Sequence, residues 1–237
     1  MADLWDQFCS LFEKTFIRDD RYLLFLEGLG NTLLIAVSAT LIGVLIGLVV
    51  AVVKVWHQQT GRGRLLNGIM EFYTTIIRGT PVVVQLLITY NVIFAFSDKA
   101  VLIGIFAFSI NSGAYVSEII RAGINAVDRG QLEAGRSLGL SQSTAMIHIV
   151  LPQALKNVLP ALGNEFIAIL KETSVIGYLG VRDLTRAGEL VRSRTADAYF
   201  SLISVALIYL LLVLGLSALF KKLERRLAKS DRNERTM

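Results

Sequence analysis

Long apolar segments alternate with short polar ones along almost the whole chain, a pattern typical of membrane-spanning helices. A helix needs about 20 apolar residues to cross roughly 30 Å of hydrocarbon. Five segments approach or exceed this length and predict transmembrane helices at residues 29–53, 69–96, 101–124, 158–178 and 199–220. Pro81 lies within the second segment and predicts a kink there. The predicted fold class is therefore an all-α integral membrane helical bundle.

The charges between these segments predict an orientation, because cytoplasmic loops carry an excess of Lys and Arg. Basic residues dominate the segments 54–64 and 121–136, and the tail 221–237 has seven of them against three acids. Residues 1–27 carry six acids against three basic residues and lack the apolar block of a cleavable signal peptide. We expect an extracytoplasmic segment 1–27, a membrane domain 28–220 and a basic cytoplasmic tail 221–237. The polar outer loop 179–198 disagrees, since its four arginines outnumber its three acids.

Composition excludes several other classes of protein. Hydrophobic residues make up 54% of the chain, and the net charge of +5 fits basic loops near anionic lipid better than nucleic-acid binding. The single Cys9 excludes an internal disulfide, and His57 and His148 lack metal-ligand spacing, so no metal site is expected. The sequence contains no GxxxxGK[ST] phosphate loop. We therefore expect no ATP or other cofactor to be bound by this chain itself.

The segment 133–152 is the longest polar interruption between residue 101 and the tail, and it predicts a helix, a tight turn and a second short helix at the membrane surface. Ala134 and Gly135 permit a close backbone approach, and Gly139 permits the turn. Ser141 is expected to cap the second helix and Pro152 to limit it. From these residues alone, the segment is either a docking element for a soluble partner or an amphipathic connector.

The spacing of this segment resembles the cytoplasmic loop by which permease subunits of bacterial ABC importers dock on their ATPases. The residues that carry the resemblance are Glu133, Ala134, Gly135, Gly139, Ile149, Leu151 and Pro152, with Gly135 in place of the usual second alanine. The surrounding sequences RGTP (78–81), AYVSEIIRAGI (114–124), PQAL (152–155), PAL (160–162) and KETS (171–174) narrow it to permeases for polar amino acids. The resemblance covers about residues 28–220.

This resemblance implies a set of partners and a location. Two permease subunits, identical or sister chains, would pair in the bacterial cytoplasmic membrane above two ATPase subunits that bind ATP and Mg²⁺. An extracytoplasmic binding protein would deliver the amino acid, and the segment 128–152 would couple ATPase closure to alternating access. The sequence leaves open which amino acid is carried, and whether the permease is a homodimer or a heterodimer.

Polar residues lie at membrane depth on several predicted spans. They are Gln85, Asn111, Asn164, Glu165, Lys171 and Glu172. Polar groups at this depth are costly in lipid and usually face a cavity or each other. They predict either a solute pathway, with the Glu165 carboxylate offered to an amino or basic group, or a Glu–Lys network that fixes helix packing. The second alternative is favoured for Lys171 and Glu172.

Two further patterns allow two interpretations each. Arg78 and Glu118 are expected at a similar level near the cytoplasmic interface, either as a pair that closes an inner gate or as side chains reaching toward water. A row of small residues on the first span indicates close helix packing, between subunits or within one. The row comprises Ala39, Gly43, Gly47 and Ala51.

Two other functions compete with that of an ATP-driven importer. One is an ion-coupled transporter that uses Glu165 or Glu118, and the other is a membrane scaffold without transport activity.

Overall fold

The computed structural model describes the backbone of residues 2–234 and the side chains of residues 5–225. This part of the chain is nearly all helical. The helices are α1 (Ala2–Phe12), α2 (Tyr22–Thr60), α3 (Arg64–Gly79), α4 (Val82–Ile88), α5 (Ala100–Asn125), α6 (Arg129–Ser137), α7 (Gln142–Ala145), α8 (Leu151–Glu172), α9 (Leu184–Thr195) and α10 (Ala198–Glu234). Wider π turns at Glu13–Ile17, Thr89–Ile93 and Met146–Val150 follow α1, α4 and α7, and a 3₁₀ segment at Thr173–Leu179 follows α8.

Four helical stretches are long and apolar enough to cross a membrane, namely Tyr22–Thr60, Ala100–Asn125, Gln142–Leu179 and Ala198–Arg225. The pair Arg64–Gly79 and Val82–Ile93 makes a fifth if it is counted as one broken span. The helical bundle is therefore confirmed, and five spans is the upper count within the residues that the structure describes. The first span is longer than predicted at both ends, so the basic residues assigned to a loop at 54–64 lie partly in α2.

The second predicted span is corrected by a sharp break. Its two halves meet at 108° instead of forming one kinked helix. Thr80 is extended (φ −122°, ψ 148°), as expected for a residue that precedes a proline. Residues 64–79 and 82–93 therefore form two helices in place of the single kinked helix predicted for this span.

The expectation that Pro152 limits a short surface helix is also wrong. A continuous helical stretch runs from Gln142 to Leu179 and includes Pro152 in the first turn of α8. Proline lacks an amide N–H and its ring collides with the carbonyl four residues earlier. The π turn at Met146–Val150, closed by a bond from the Leu151 N–H to the Met146 carbonyl, widens the helix just ahead of the proline.

One compact unit comprises the chain through Ala39 together with residues 82–108 and 168–215. Its core includes Phe25 and Val205 packed with the buried side of α9. The segment 179–198, predicted as a polar loop, thus contains a helix whose buried residues are Leu184, Ala187, Gly188, Val191 and Thr195. Asp183 begins this helix by accepting bonds from the Thr185 and Arg186 amides.

The other unit comprises residues 40–81, 109–167 and the chain from Leu216 onward. Here α2 approaches α5 so closely that a Cβ on Gly43 would lie 2.6 Å from the Ser112 Cβ. One on Gly47 would lie 2.6 Å from a Val116 methyl carbon. These two members of the small-residue row therefore serve packing within the chain.

Candidate functional site

The predicted helix, turn and helix near residue 139 are present in the second unit. Ser141 caps α7 by accepting from the Thr144 amide, as predicted, and Asp128, which was not predicted as a cap, caps α6 by accepting from the Gly130 amide. Gly139 between them has a φ of +89°, a left-handed conformation that favours glycine. The Leu140 amide donates back to the Gly135 carbonyl at 3.2 Å and closes the turn.

The predicted coupling residues divide into a packed set and an exposed set. Gly135 is buried, and a Cβ there would lie 2.6 Å from the Ile149 Cδ1 atom. Glu133, Ala134, Gly139, Leu151 and Pro152 are exposed. Below them, Val127, Val150 and Ala154 form a small core that holds α6 against the start of α8.

Sequence reasoning missed one prominent residue of this surface. Leu138 sits at the tip of the turn with 84% of its side chain exposed. A single exposed leucine is common, but several exposed apolar residues together mark interaction surfaces. Leu140 and Ile147 are also exposed nearby. Leu138 could have been noticed in the sequence as an apolar residue directly before the turn residue Gly139.

A cluster of charged side chains lies among α2, α3 and α5 of the same unit, and Glu118 is its centre. One Glu118 oxygen accepts from the Lys54 ammonium at 2.8 Å, and the other accepts from the Arg121 guanidinium at 2.6 Å. Lys54 also donates to the Thr74 hydroxyl at 2.9 Å and pairs with Glu71 at 3.3 Å. The predicted Arg78–Glu118 pair is present but longer, at 3.8 Å.

The position of Lys54 corrects its assignment to a basic loop between spans, because Lys54 lies within α2. Its side chain is only 3% exposed, whereas that of Arg78 is 44% exposed. Arg78 also stacks over the Tyr115 ring, 5.5 Å from its centroid, a cation–π contact. The most buried cation on Glu118 is therefore Lys54, which sequence reasoning did not select because it follows directly on an apolar run.

The predicted pathway residues fall in both units. In the first unit, Gln85 is half-buried, Lys171 is exposed, and one Glu172 carboxylate oxygen is buried without a hydrogen-bond partner among the described residues. In the second unit, Asn111 is buried, Asn164 is exposed and Glu165 is half-buried on α8. Whether they line a solute pathway stays a prediction.

The apolar helices, and the polar helix–turn element between α5 and the following span, define a polytopic α-helical membrane protein. Residues 27–229 match the family of binding-protein-dependent transport system inner membrane components. This chain belongs to that family. It is a permease subunit and not an enzyme, which confirms the resemblance found in the sequence.

Named relatives and solved structures agree with this assignment. A putative glutamine transport system permease protein of Rickettsia bellii is 38% identical over 223 residues, covering 93% of this chain and all of the relative. The arginine transport system permease protein ArtQ of Bacillus subtilis is 40% identical, over 87% of this chain and 93% of its own. A crystal structure of an amino acid ABC transporter with histidines is 44% identical, with a TM-score of 0.81 over 86% of this chain and 94% of that one. The methionine ABC transporter MetNI, at 18% identity and a TM-score of 0.75 over 88% and 98% of the two chains, shares the fold.

Proposed function

We propose that this chain is the membrane-spanning subunit of an ATP-driven importer for polar amino acids. Its relatives carry names of glutamine and arginine transport permeases. The single observation that carries the coupling role is the surface formed by Ala134, Leu138, Leu140 and Ile147, here called the docking surface. It combines exposed apolar side chains with two helices that are each capped by a side-chain hydrogen bond.

The partners follow from this role. The docking surface would seat a cytoplasmic ATPase subunit that binds ATP and Mg²⁺, with a second permease subunit and a second ATPase completing the importer. An extracytoplasmic binding protein would deliver the amino acid. In this arrangement residues 1–27 lie outside and residues 128–152 and 221–237 lie inside; beyond Arg225 the tail's side chains are outside the described residues.

Transport would proceed by alternating access, which moves helices around a solute site. Asn164 and Glu165 are the best placed candidates on α8, since that helix continues directly from the docking surface. The Glu165 carboxylate would attract an α-amino or basic group. Gln85, Asn111, Lys171 and Glu172 complete the proposed pathway, and Glu165→Gln tests its charge.

The charge cluster around Glu118 is proposed as an inner gate. Its five charged groups hold α2, α3 and α5 together, so opening between these helices must separate ion pairs. The proposal extends the predicted Arg78–Glu118 pair to Lys54, Glu71 and Arg121. Because three cations surround Glu118, reversing the charges of Arg78 and Glu118 together leaves two cations facing a third and is not expected to restore uptake.

The test of the coupling role is Ala134→Trp in the complex assembled with its ATPase and binding protein. Ala134 is exposed, so the indole leaves the fold of this chain intact but obstructs a docked partner. We expect copurification of the ATPase to weaken at least about 30-fold, as for the loss of an interface hot spot of about 2 kcal/mol. Solute-stimulated ATP hydrolysis should disappear with it.

Ala95→Trp is the matched control, because Ala95 is also an exposed alanine and lies outside the docking surface. It should leave ATPase copurification unchanged. Normal copurification and stimulation in Ala134→Trp would contradict the coupling role.

A further inference from the structure

The helix α9 presents a basic face in the first unit, in the segment that joins the spans Gln142–Leu179 and Ala198–Arg225. All four arginines of this segment are exposed, and they are Arg182, Arg186, Arg192 and Arg194. In the orientation that the other loops predict, this segment lies outside, where the charge bias disfavours Lys and Arg. Membrane orientation therefore does not account for these arginines.

Two of the four arginines have carboxylate partners. Arg182 pairs with Glu27 at 2.7 Å, and Arg186 pairs with Glu189 at 2.8 Å. All four of these side chains are nearly half exposed. Ion pairs at such positions are weak because water screens them. Both guanidinium groups therefore stay accessible to a partner.

The other two arginines, Arg192 and Arg194, make no ion pair within residues 5–225. The remaining acids of the segment do not compensate them. Asp183 is fully buried. Asp197 has one oxygen that accepts from an amide of α10 and another that is enclosed. The C-terminal end of α9 therefore displays two uncompensated positive charges, one on each side of the exposed Ser193.

The position of α9 favours a soluble partner over a lipid headgroup. Its apolar side packs against Phe25 and Val205 in the core of the first unit. It therefore has no apolar face to place among acyl chains, unlike a helix that lies in the membrane interface. Tyr178 and Tyr199 are largely exposed at the ends of the two flanking spans, where tyrosines typically mark the membrane–water interface. The helix between them faces water.

Contacts within the first unit fix α9 to two spans. The Leu184 amide donates to the Thr32 hydroxyl at 3.1 Å, and the Asn31 side chain donates to the Arg182 carbonyl at 2.8 Å. These bonds hold the start of α9 against α2. Gly188 packs so closely on the Val205 side chain of α10 that it has no room for a Cβ. A partner bound to α9 therefore acts directly on α2 and α10.

We propose that the exposed arginines of α9 and its preceding turn, here called the basic face (Arg182, Arg186, Arg192 and Arg194), dock an acidic surface of the extracytoplasmic binding protein. The inference rests on the importer function proposed above, which places this segment outside and assigns such a partner. Carboxylates of the partner pair with the guanidinium groups, whose planar geometry suits bidentate contacts. Charges at the edge of an interface mainly accelerate association and fix the orientation of the partner.

The test measures the association rate of the binding protein, loaded with its amino acid, on the importer complex in phosphatidylcholine nanodiscs. Surface plasmon resonance provides this rate. Arg192→Glu combined with Arg194→Glu should slow association at least about tenfold at about 0.1 M salt, through lost electrostatic steering. The difference should disappear at about 1 M salt, where charges are screened within about 3 Å.

Matched variants separate the charge of the basic face from its shape and from net charge. Arg192→Lys with Arg194→Lys keeps both charges and should stay within about threefold of the wild-type rate. Lys221→Glu with Lys222→Glu makes the same charge change on two exposed residues of the predicted cytoplasmic tail and should have no effect. If the reversed variant does not assemble, Arg192→Gln with Arg194→Gln should slow association with the same dependence on salt.

The outcomes distinguish this site from the function on which it rests. A wild-type complex that does not bind the binding protein contradicts both the importer function and the site. Normal binding by the wild type, with unchanged association after charge reversal, overturns the site alone. A loss that persists at about 1 M salt also overturns it. Retention of phosphatidylglycerol by the wild type but not by the reversed variant, with equal association of the binding protein, would assign the arginines to lipid headgroups instead.

Discussion

Removing the charge of Glu118 should destabilise the protein more than removing that of Lys54, although the two groups form one ion pair. The Lys54 side chain is 3% exposed and the Glu118 side chain 18%. Glu118→Gln leaves the Lys54 ammonium buried with the Thr74 hydroxyl and with Glu71, whose side chain is 55% exposed. Such a half-exposed pair contributes only about 0–1 kcal/mol. An uncompensated buried charge costs about 3–5 kcal/mol.

Removing the Lys54 charge is expected to destabilise the protein less than removing the Glu118 charge. Lys54→Met has nearly the same side-chain length, and Glu118 keeps Arg121 at 2.6 Å and Arg78 at 3.8 Å. The expected loss is therefore about 1–3 kcal/mol, the cost of one hydrogen bond to a charged group. The double variant should be less destabilised than the sum of the single ones by about 1–3 kcal/mol, because the two residues share one interaction.

Denaturant or thermal unfolding of the purified complex in detergent measures all three variants. Lys221→Met is the control, since Lys221 is exposed and its loss should be near neutral. Equal losses for Lys54→Met and Glu118→Gln would refute the reasoning, as would strict additivity in the double variant. Either result would mean that water screens the Lys54–Glu118 ion pair as strongly as it screens an ion pair on a protein surface.

The remaining predictions concern helix packing and a helix cap. Gly47→Ala should cost about 1–3 kcal/mol from overpacking, since its Cβ would lie 2.9 Å from the Ser117 amide nitrogen. Gly68→Ala, with nothing within 4 Å, should be neutral or stabilising by about 0.5–1 kcal/mol, and unfolding experiments compare the two. Asp183→Ala should cost about 1–2 kcal/mol by uncapping α9, whereas Asp183→Asn should cost less. Burial raises the pKa of the Asp183 carboxyl, so its contribution to stability is largest below the ordinary aspartate pKa and is lost as pH rises through the raised value. The wild type should therefore gain stability relative to Asp183→Asn on acidification, and equal pH profiles would contradict this.

The helical membrane architecture was predictable because apolar length alone reports a span. The break in the second span was not, since Pro81 permits either a kink or a chain reversal and only the packing of both halves decides between them. The preceding Gly79 and Thr80 were the local signal for a full break, because a residue before proline avoids the helical conformation.

The helix α9 shows a different limit of sequence reasoning. Its charges gave it the appearance of an outer loop, yet Leu184, Ala187, Gly188 and Val191 recur at helical spacing. A hydropathy window as long as a membrane span averages the apolar and charged residues of this helix together and hides their spacing. The helical spacing of these apolar residues was the feature that could have predicted α9.

At the candidate site, the turn and its Ser141 cap were predictable from local chemistry. Of the partners of Glu118, Arg78 was predicted and Lys54 was not, because Lys54 comes from α2 and a sequence carries no distance between helices. Lys54 in particular resembles a residue at the end of a span. Only the structure shows that α2 continues past Lys54 and that the Lys54 side chain is buried against α3 and α5.

The widened turn before Pro152 has a mechanical consequence. Between Gln142 and Glu165 the backbone is uninterrupted helix, a rod of about 35 Å at the usual rise per residue. In the proposed importer, a displacement of the Gln142 end would reach Asn164 with no loop to absorb it. Two places in this rod can bend: the wider turn at Met146–Val150, and Pro160 inside α8, which has no backbone N–H to donate. The stiffness at these two places sets how much of a displacement arrives at the other end.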